Sequence, residues 1–212
     1  CIPTKSLLKS AQVFDYLNHA ADYGIQIDGS ANADFGAMVK RSRDVAGGMS
    51  KGVQFLLKKN KVEVIQGTAQ LTKDKKVEVT GVDKKKTTYE APHVILATGA
   101  RSRELPNLPQ DGKKIIGYRE ALTLDKQPES MVVVGSGAIG SEFAYFYSTI
   151  GTKVTLVEFM DNIVPVEDDE VSKQLARSFK KAGIDVRTSS EVTKADTSGK
   201  KVKVTIKDKK GK

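Results

Sequence analysis

The spacing of apolar residues changes along the chain, and each change predicts a different kind of element. Residues 2–20 and 34–60 carry apolar side chains three or four positions apart, which is the spacing of helices with one buried face. Asp34 is a typical residue at the start of a helix, and Gly47 and Gly48 are expected to loosen the second helix. The first part of the chain is therefore predicted to be largely helical.

From residue 62 to residue 90 the pattern alternates between apolar and polar positions, and charged turns separate the segments. This alternation predicts an antiparallel β-meander. The unbroken apolar run at 94–97 is typical of a strand in a parallel sheet that is buried on both faces. Thr98 and Gly99 follow at its carboxyl end, where open α/β sheets bind ligands.

Residues 101–128 contain prolines and glycines without a periodic pattern, and we interpret them as the connection between two domains. The remaining chain alternates strands and helices, and all of its strands are expected to belong to one second sheet. Helices are predicted at 141–150 and 167–181, and strands at 132–134, 154–157, 184–187, 191–195 and 202–207. Asp168 or Asp169 is expected to cap the second of these helices, and Gly183 to end it.

Three glycines follow the predicted strand 132–134 in the spacing G-x-G-x-x-G. Gly135 is expected to form a tight turn, Gly137 to let a pyrophosphate approach the backbone, and Gly140 to let the next helix pack on the strand. The amides at the start of that helix would face the phosphates. Three glycines also fit an ordinary tight turn, but here strand, helix, second strand and acidic residue follow within about 30 residues, as a dinucleotide site requires.

Glu158 ends the second apolar run, 23 positions after Gly135. A carboxylate at this place accepts hydrogen bonds from both ribose hydroxyls of NAD and repels the 2′-phosphate of NADP. Residues 159–162 contain no arginine that would compensate for such a phosphate. The hypothesis is that Glu158 selects NAD over NADP.

Composition and charge exclude several classes of function. The 212 residues are 39% hydrophobic and carry a net charge of +9, but the lysines cluster at turns, without the arginines and aromatic residues of nucleic-acid interfaces. No nucleic-acid partner is therefore expected. No apolar run approaches the roughly 20 residues of a membrane helix, so no membrane partner is expected either. The single cysteine forms no internal disulfide and favours a reducing, cytoplasmic setting.

Cys1 stands at the start of the first predicted helix, with Lys5 one turn further on. The positive end of the helix dipole and the lysine charge both favour the thiolate form of a cysteine. A lone cysteine is more often a small buried apolar residue, and composition by itself favours that alternative.

Three segments carry a resemblance to a known family: CIPTKSLL at 1–8, VILATGA at 94–100 and VVVGSGAIGSEFA at 132–144. In this order they resemble the FAD-dependent pyridine nucleotide-disulfide oxidoreductases, and the resemblance covers essentially the whole chain. Thr4 and Glu158 are typical of the NAD-linked members that oxidise dihydrolipoamide. The NADP-linked glutathione and trypanothione reductases usually carry lysine in place of Thr4 and arginines after the second strand.

The resemblance implies an α/β fold with two Rossmann-like dinucleotide-binding domains, for FAD and for NAD, and places the β-meander in the first. Residues 1–103 would form the C-terminal part of the FAD-binding domain, and residues 104–212 an NAD-binding domain truncated at its C-terminal end. Both domains would be incomplete. The chain is therefore expected to be a fragment of a longer protein and to be inactive by itself.

The resemblance also implies roles for individual residues. Cys1 would be the flavin-facing cysteine of a CxxxxC redox disulfide, and Lys5 would lie beside the flavin and pair with Glu142 near the nicotinamide; these three are the predicted catalytic residues. The predicted FAD contacts are Lys5, Ala69, Thr98, Gly99 and Ala100. The predicted NAD contacts are Gly135, Ser136, Gly137, Ala138, Ile139, Gly140, Ser141, Glu142, Glu158 and Val192. No metal site is expected.

The implied reaction is the oxidation of dihydrolipoamide, free or on a lipoyl domain, with electron transfer through the disulfide and FAD to NAD. The implied partners are a second copy in a homodimer and the components of a 2-oxo acid dehydrogenase complex or of the glycine cleavage system. Two alternatives stay open: another disulfide or metal-ion reductase of this family, and a non-catalytic NAD-binding module. His19 and His93 do not match the acid-base histidine of the family and are expected to lie on the surface.

Overall fold

A computed structural model of the chain describes residues 1–209, so the end of the predicted domain 104–212 lies outside the described residues. The chain forms two compact units: residues 47–101 form one, and residues 1–46 with the chain from residue 102 form the other. The helices are α1 (Ile2–Asn18), α2 (Phe35–Lys59), the short α3 (Tyr118–Ala121), α4 (Ala138–Thr149) and α5 (Asp169–Lys181). The strands are β1 (Gly67–Leu71), β2 (Val77–Gly81), β3 (Lys86–Tyr89), β4 (Ser130–Val134), β5 (Lys153–Val157), β6 (Asp185–Arg187), β7 (Ser190–Asp196) and β8 (Lys203–Asp208).

The two predicted N-terminal helices are confirmed as α1 and α2. Pro3 lies at the start of α1, where its missing N–H costs no helical hydrogen bond. Asp34 precedes α2, and its Oδ1 accepts a hydrogen bond of 2.9 Å from the N–H of Ala37. The helix continues through Gly47 and Gly48 without a break, so the expected loosening is not observed.

The predicted antiparallel meander is confirmed in the unit formed by residues 47–101. β1, β2 and β3 follow one another in a three-stranded sheet, with Ala69 opposite Val79. Residues 62–66 alternate as strands do, but they precede β1 and lie outside the sheet.

The apolar run 94–97 does not form the predicted strand. Ile95 is 89% exposed and Leu96 is 68% exposed, and no strand among residues 1–209 pairs with this run. A β-strand needs a neighbour that exchanges backbone hydrogen bonds with it, and an apolar run of this kind needs cover on both faces. The run lacks such a neighbour here, so the prediction of a strand is wrong for this structure.

β4, β5 and β6 form a parallel sheet in that order, with Val133 opposite Leu156 and Leu156 opposite Val186. α4 connects β4 to β5, and α5 lies between β5 and β6 along the chain. The alternation of strands and helices confirms the predicted α/β fold. α4 begins at Ala138, earlier than predicted, because Gly137 takes an extended conformation and serves as its N-cap.

α5 begins after Asp168, as predicted, because the Asp168 Oδ1 accepts a hydrogen bond of 2.8 Å from the N–H of Glu170. β7 and β8 form a separate two-stranded antiparallel sheet. The expectation that all strands join one sheet is therefore wrong for these two. Parallel neighbours need a long crossover connection, whereas the short turn between β7 and β8 allows only an antiparallel pair.

The main core lies between α1, α4 and the parallel sheet. Its largest fully buried side chains include Tyr147, Phe146, Leu7 and Leu156. Burial of an aliphatic or phenylalanine side chain of this kind contributes about 1.5–3 kcal/mol to folding. The helices described here include none that is both long and apolar enough to cross a membrane.

Candidate functional site

The glycine motif forms the turn between β4 and α4. Gly135 has a φ of 92°, a left-handed conformation that residues with a Cβ rarely adopt, and its N–H donates a hydrogen bond of 2.8 Å to the Val157 carbonyl of β5. A Cβ added to Gly140 would overlap the carbonyl oxygen of Gly135 and contact the side chain of Val133. The turn and the helix therefore fit together only with glycine at both positions.

The start of α4 presents an open face beside this turn. A Cβ added to Gly137 would meet no atom within 4 Å, and no side chain caps this end of the helix. The N–H groups of a first helical turn have no acceptor inside the helix, which makes such an end a binding site for phosphate. Residues 135–141, here called the cradle, therefore fit the pyrophosphate of a dinucleotide.

Glu158 follows β5 and reaches the cradle with its carboxylate. Only 7% of the residue is exposed. Its Oε2 accepts two hydrogen bonds from Ser136, at 2.8 Å from the N–H and at 2.7 Å from the hydroxyl. Its Oε1 accepts one of 2.8 Å from the N–H of Met160. The carboxylate is thus fixed at the place where the motif expects the ribose of a dinucleotide.

Ser136 connects three parts of the site and has no exposed surface. Besides its two bonds to Glu158, its hydroxyl accepts a hydrogen bond of 3.1 Å from the N–H of Val164. Its carbonyl accepts one of 2.8 Å from the hydroxyl of Ser141. The turn, the first turn of α4 and the loop after β5 are therefore held together through this one residue.

An ion pair connects α1 to α4. The ammonium group of Lys5 donates a hydrogen bond to Oε1 of Glu142, with the two side chains 62% and 28% exposed. Leu7 of α1 and Phe143 of α4 are buried in the same core beneath this pair of helices. The structure thus brings together two of the three residues with an implied catalytic role, and the roles themselves stay predictions.

Cys1 stands at the N-cap position of α1 and has an exposed, free thiol. Its carbonyl accepts a hydrogen bond of 3.0 Å from the N–H of Lys5. The thiol therefore lies at the positive end of the helix dipole, one turn from a lysine, which is the environment of a reactive cysteine. In this structure, therefore, Cys1 is not a buried apolar residue.

The residues predicted to contact FAD, other than Lys5, lie in the unit formed by residues 47–101. Ala69 is in β1, and residues 98–100 follow the run that forms no strand; all are exposed. Gly99 has a φ of 79°. Contact between these residues and FAD stays a prediction.

Val192 was expected to contact NAD, and its side chain lies in a second apolar cluster with Leu108 and Val157. Its carbonyl accepts a hydrogen bond of 2.9 Å from the Asn107 side chain. Val192 therefore supports the end of β5, from which Glu158 extends, and its contact with NAD stays a prediction.

The two histidines lie at the surface. His19 follows α1, and its Nδ1 is 2.9 Å from the carbonyl oxygen of Asp15; His93 is exposed in an irregular segment. Within the part of the chain that the structure describes, no cluster of three or more His, Cys, Asp or Glu side chains could hold a metal ion.

Sequence reasoning missed the two groups that fix Glu158. Ser136 is predicted as a contact for NAD, and that prediction does not include its bonds to the carboxylate. A hydroxyl residue between the first two motif glycines is a signal that could have suggested the bond from its side chain. The N–H of Met160 carries no such signal, because every residue except proline has one.

Comparison with known proteins identifies the family of the chain. A family model described as pyridine nucleotide-disulphide oxidoreductase matches residues 1–212. Dihydrolipoyl dehydrogenase from Chlorobaculum parvum is 51% identical over 187 residues, a match covering 88% of this chain and 40% of that protein. Dihydrolipoyl dehydrogenase from Rhizobium etli is 46% identical over 211 residues, covering 92% of this chain and 44% of that protein.

A solved structure supports the same relationship. The crystal structure of LpdA from Mycobacterium tuberculosis matches with a TM-score of 0.87 and 28% identity, and the match covers 100% of this chain and 46% of that one. The chain therefore spans less than half the length of each of these three proteins.

Proposed function

The chain belongs to the pyridine nucleotide-disulphide oxidoreductase family, and we propose that the whole protein oxidises dihydrolipoamide with NAD as the electron acceptor. Relatives named dihydrolipoyl dehydrogenase, 51% and 46% identical, support the choice of substrate. Glu158 beside the cradle supports the choice of NAD.

The observation that carries the proposal is the ion pair between Lys5 and Glu142. Lys5 lies one turn from the thiol of Cys1, and Glu142 lies on α4, whose start forms the cradle. One contact therefore joins the helix that bears the thiol to the helix that would hold the dinucleotide. A module that only binds NAD does not need a thiol at this place, whereas a disulfide oxidoreductase does.

Two cofactor sites follow from this assignment. The cradle would hold the pyrophosphate of NAD and Glu158 its ribose, within a domain proposed to comprise residues 104–212. The proposed FAD contacts are those implied by the sequence, within a domain to which residues 1–103 contribute. FAD supplies two-electron exchange between a dithiol and a nicotinamide, which amino-acid side chains cannot provide by themselves.

The residues of this chain position the reacting groups. Cys1 would form a disulfide with a second cysteine of the whole protein, and its thiolate would be the sulfur that faces the flavin. The Lys5 ammonium group stabilises negative charge beside it, and Glu142 orients that ammonium group. Dihydrolipoamide loses two electrons and two protons; NAD takes up two electrons and one proton, and one proton goes to solvent.

The same proposal covers the assembly of the protein. Family membership supports a homodimer that accepts dihydrolipoamide on the lipoyl domain of a 2-oxo acid dehydrogenase complex. The location proposed for the protein is the cytoplasm.

The experiment that tests the function uses the full-length flavoprotein. Initial rates are measured with dihydrolipoamide and NAD, and separately with glutathione disulfide or mercuric ion and NADPH. Fast reduction of NAD by dihydrolipoamide is the expected result. A negligible rate in this assay together with a fast NADPH-linked rate would assign the protein to another reductase of the family.

A further inference from the structure

The Glu158 carboxylate has little freedom to rotate. Two oxygens of a carboxylate offer about four lone-pair sites. Ser136 fills two of them through its N–H and its hydroxyl, and the N–H of Met160 fills a third. The remaining site is on Oε1, so the carboxylate presents one acceptor in one direction, which serves one ribose hydroxyl instead of the two expected from the sequence.

The Ser136 hydroxyl is the only one of these three donors that a side-chain substitution removes. The other two are backbone N–H groups, which any residue except proline would supply at positions 136 and 160. The contribution of this hydroxyl can therefore be measured while the other two hydrogen bonds remain.

We propose that Ser136 is a positioning residue that makes Glu158 discriminate between NAD and NADP. A 2′-phosphate approaching this site meets a negative charge that three hydrogen bonds prevent from turning aside. Without the hydroxyl, Oε2 keeps one bond instead of two, and the carboxylate turns away from a phosphate more easily. This inference rests on the proposed binding of NAD.

The neighbouring cations among residues 1–209 do not offer a binding site for a 2′-phosphate, so discrimination between NAD and NADP depends on Glu158. The N–H of Glu158 donates to the carbonyl of Arg187 on β6, but the Arg187 guanidinium group lies 2.9 Å from a carboxylate oxygen of Asp185. Lys209, which follows β8, forms an ion pair with Asp161 in the loop after β5. Both cations are engaged by carboxylates, so neither is preorganised to bind a 2′-phosphate.

The hydroxyl is not required to hold the neighbouring loop in place. The N–H of Val164 donates to the Ser136 hydroxyl at 3.1 Å and also lies 3.2 Å from the Ser136 carbonyl oxygen. Replacement of the serine by alanine leaves Val164 with that carbonyl as its acceptor. The effect of Ser136→Ala should therefore reach the dinucleotide through Glu158.

The test measures the dissociation constants of NAD and NADP by isothermal titration calorimetry on the full-length flavoprotein. Loss of one neutral donor to a charged acceptor predicts that Ser136→Ala lowers the NAD:NADP selectivity by about three- to tenfold. Glu158→Gln removes the charge and is expected to lower it further. The double variant Ser136→Ala/Glu158→Gln should match Glu158→Gln, because a positioning residue has no effect once the group it positions is changed.

Ser172→Ala is the matched control. Ser172 is also a buried serine, and its hydroxyl lies 3.4 Å from the carbonyl oxygen of Val164, in the same loop, without a contact to Glu158. Its selectivity should equal that of the wild type. If Ser172→Ala lowers the NAD:NADP selectivity as much as Ser136→Ala does, then loosening this loop is enough to reduce selectivity. That result would overturn the proposal.

The outcomes separate this inference from the proposed function. If Glu158→Gln leaves selectivity unchanged, the proposed role of Glu158 fails, and the role of Ser136 fails with it. If Glu158→Gln lowers selectivity while Ser136→Ala does not, only the positioning role is overturned. If Ser136→Ala does not fold, Ser136→Cys replaces it, because a thiol fills a similar volume and is a much weaker hydrogen-bond donor. Ser136→Cys must then lower the NAD:NADP selectivity by the same factor.

Discussion

Residues 130–135 and residues 94–99 both consist of an apolar run that leads to a glycine, but only the first run is a strand. Val133 and Leu156 pair across the parallel sheet, and Leu156 has no exposed surface. In the second run, Leu96 is 68% exposed and has no strand partner among the described residues. A hydrophobic run thus becomes a strand only where neighbouring strands and helices complete it.

The largest expected difference is between removing Leu156, which lies in β5 beside the first run, and removing Leu96 from the second run. Leu156→Ala should lower the free energy of unfolding by about 2–5 kcal/mol, because it leaves a cavity in the core. Leu96→Ala should change it by no more than about 0.5 kcal/mol, because its side chain is already in water. Urea unfolding of the 212-residue chain, followed by circular dichroism, measures both; equal losses would show that residues 94–97 are buried in solution.

Replacing one glycine in each unit by alanine is expected to change the free energy of unfolding in opposite directions. Gly140→Ala should destabilise the chain by about 1–3 kcal/mol, because its Cβ overlaps the carbonyl of Gly135. Gly47→Ala should stabilise it by about 0.5–1 kcal/mol, because a Cβ there meets no atom and alanine favours a helix. The same unfolding experiment measures both variants. A stabilising effect of Gly140→Ala would mean that α4 and the turn are less closely packed than the structure shows.

Tyrosines give a smaller contrast that depends on pH. The buried hydroxyl of Tyr147 donates a hydrogen bond of 2.6 Å to the Ala121 carbonyl, so Tyr147→Phe should cost about 1–2 kcal/mol at neutral pH. Tyr89→Phe, at a half-buried position in the meander, is the control and should cost less.

Burial raises the pKa of Tyr147 above its usual value of 10.0. Above about pH 10 the unfolded chain releases this proton while the folded chain keeps it, so wild-type stability falls as the pH rises. The Tyr147→Phe variant has no such proton to release, so its free energy of unfolding does not fall for this reason. The difference in stability between the wild type and the variant should therefore narrow between pH 9 and 11. Denaturant unfolding at several pH values between 9 and 11 measures this difference. A difference that stays constant over these pH values would contradict the burial of the hydroxyl.

The smallest expected effect concerns the exposed ion pair between Asp161 and Lys209. It contrasts with the buried hydrogen bonds of Glu158, at the end of β5. Hydrogen bonds from Lys209 and Ser189 lower the pKa of Asp161 below its usual value of 3.8. The stabilisation is present above pH 4 and is lost as the pH falls through the lowered pKa. Carbon-13 NMR titration of the carboxyl group should give a pKa that rises towards the usual value in the Lys209→Met variant.

The sequence predicts the geometry of those features that depend on residues close together along the chain. The turn at Gly135, the close approach at Gly140 and the position of Glu158 all lie within one strand-helix-strand segment, so their spacing predicts their geometry. The cap at Asp168 is equally local, since it depends on one side chain and the N–H two positions later.

Features that depend on distant partners were not predictable in the same way. The run 94–97 needs a neighbouring strand that its own pattern does not reveal. β7 and β8 alternate like other strands, and nothing in their residues shows that, among residues 1–209, each has the other as its one strand partner. The bonds from Ser136 to Glu158 join positions 22 apart, which the parallel sheet brings together, whereas the bond from the N–H of Met160 is local but leaves no mark in the residue type.

The packing of α1 on α4 has a mechanical consequence. Cys1 begins one of these helices and the cradle begins the other, and both helices belong to the same compact unit. Leu7 fixes α1 in the core, and the bond from Lys5 to Glu142 fastens its first turn. A rigid-body displacement of α1 therefore moves α4 and the cradle in the same direction, and the distance between the starts of the two helices is nearly constant.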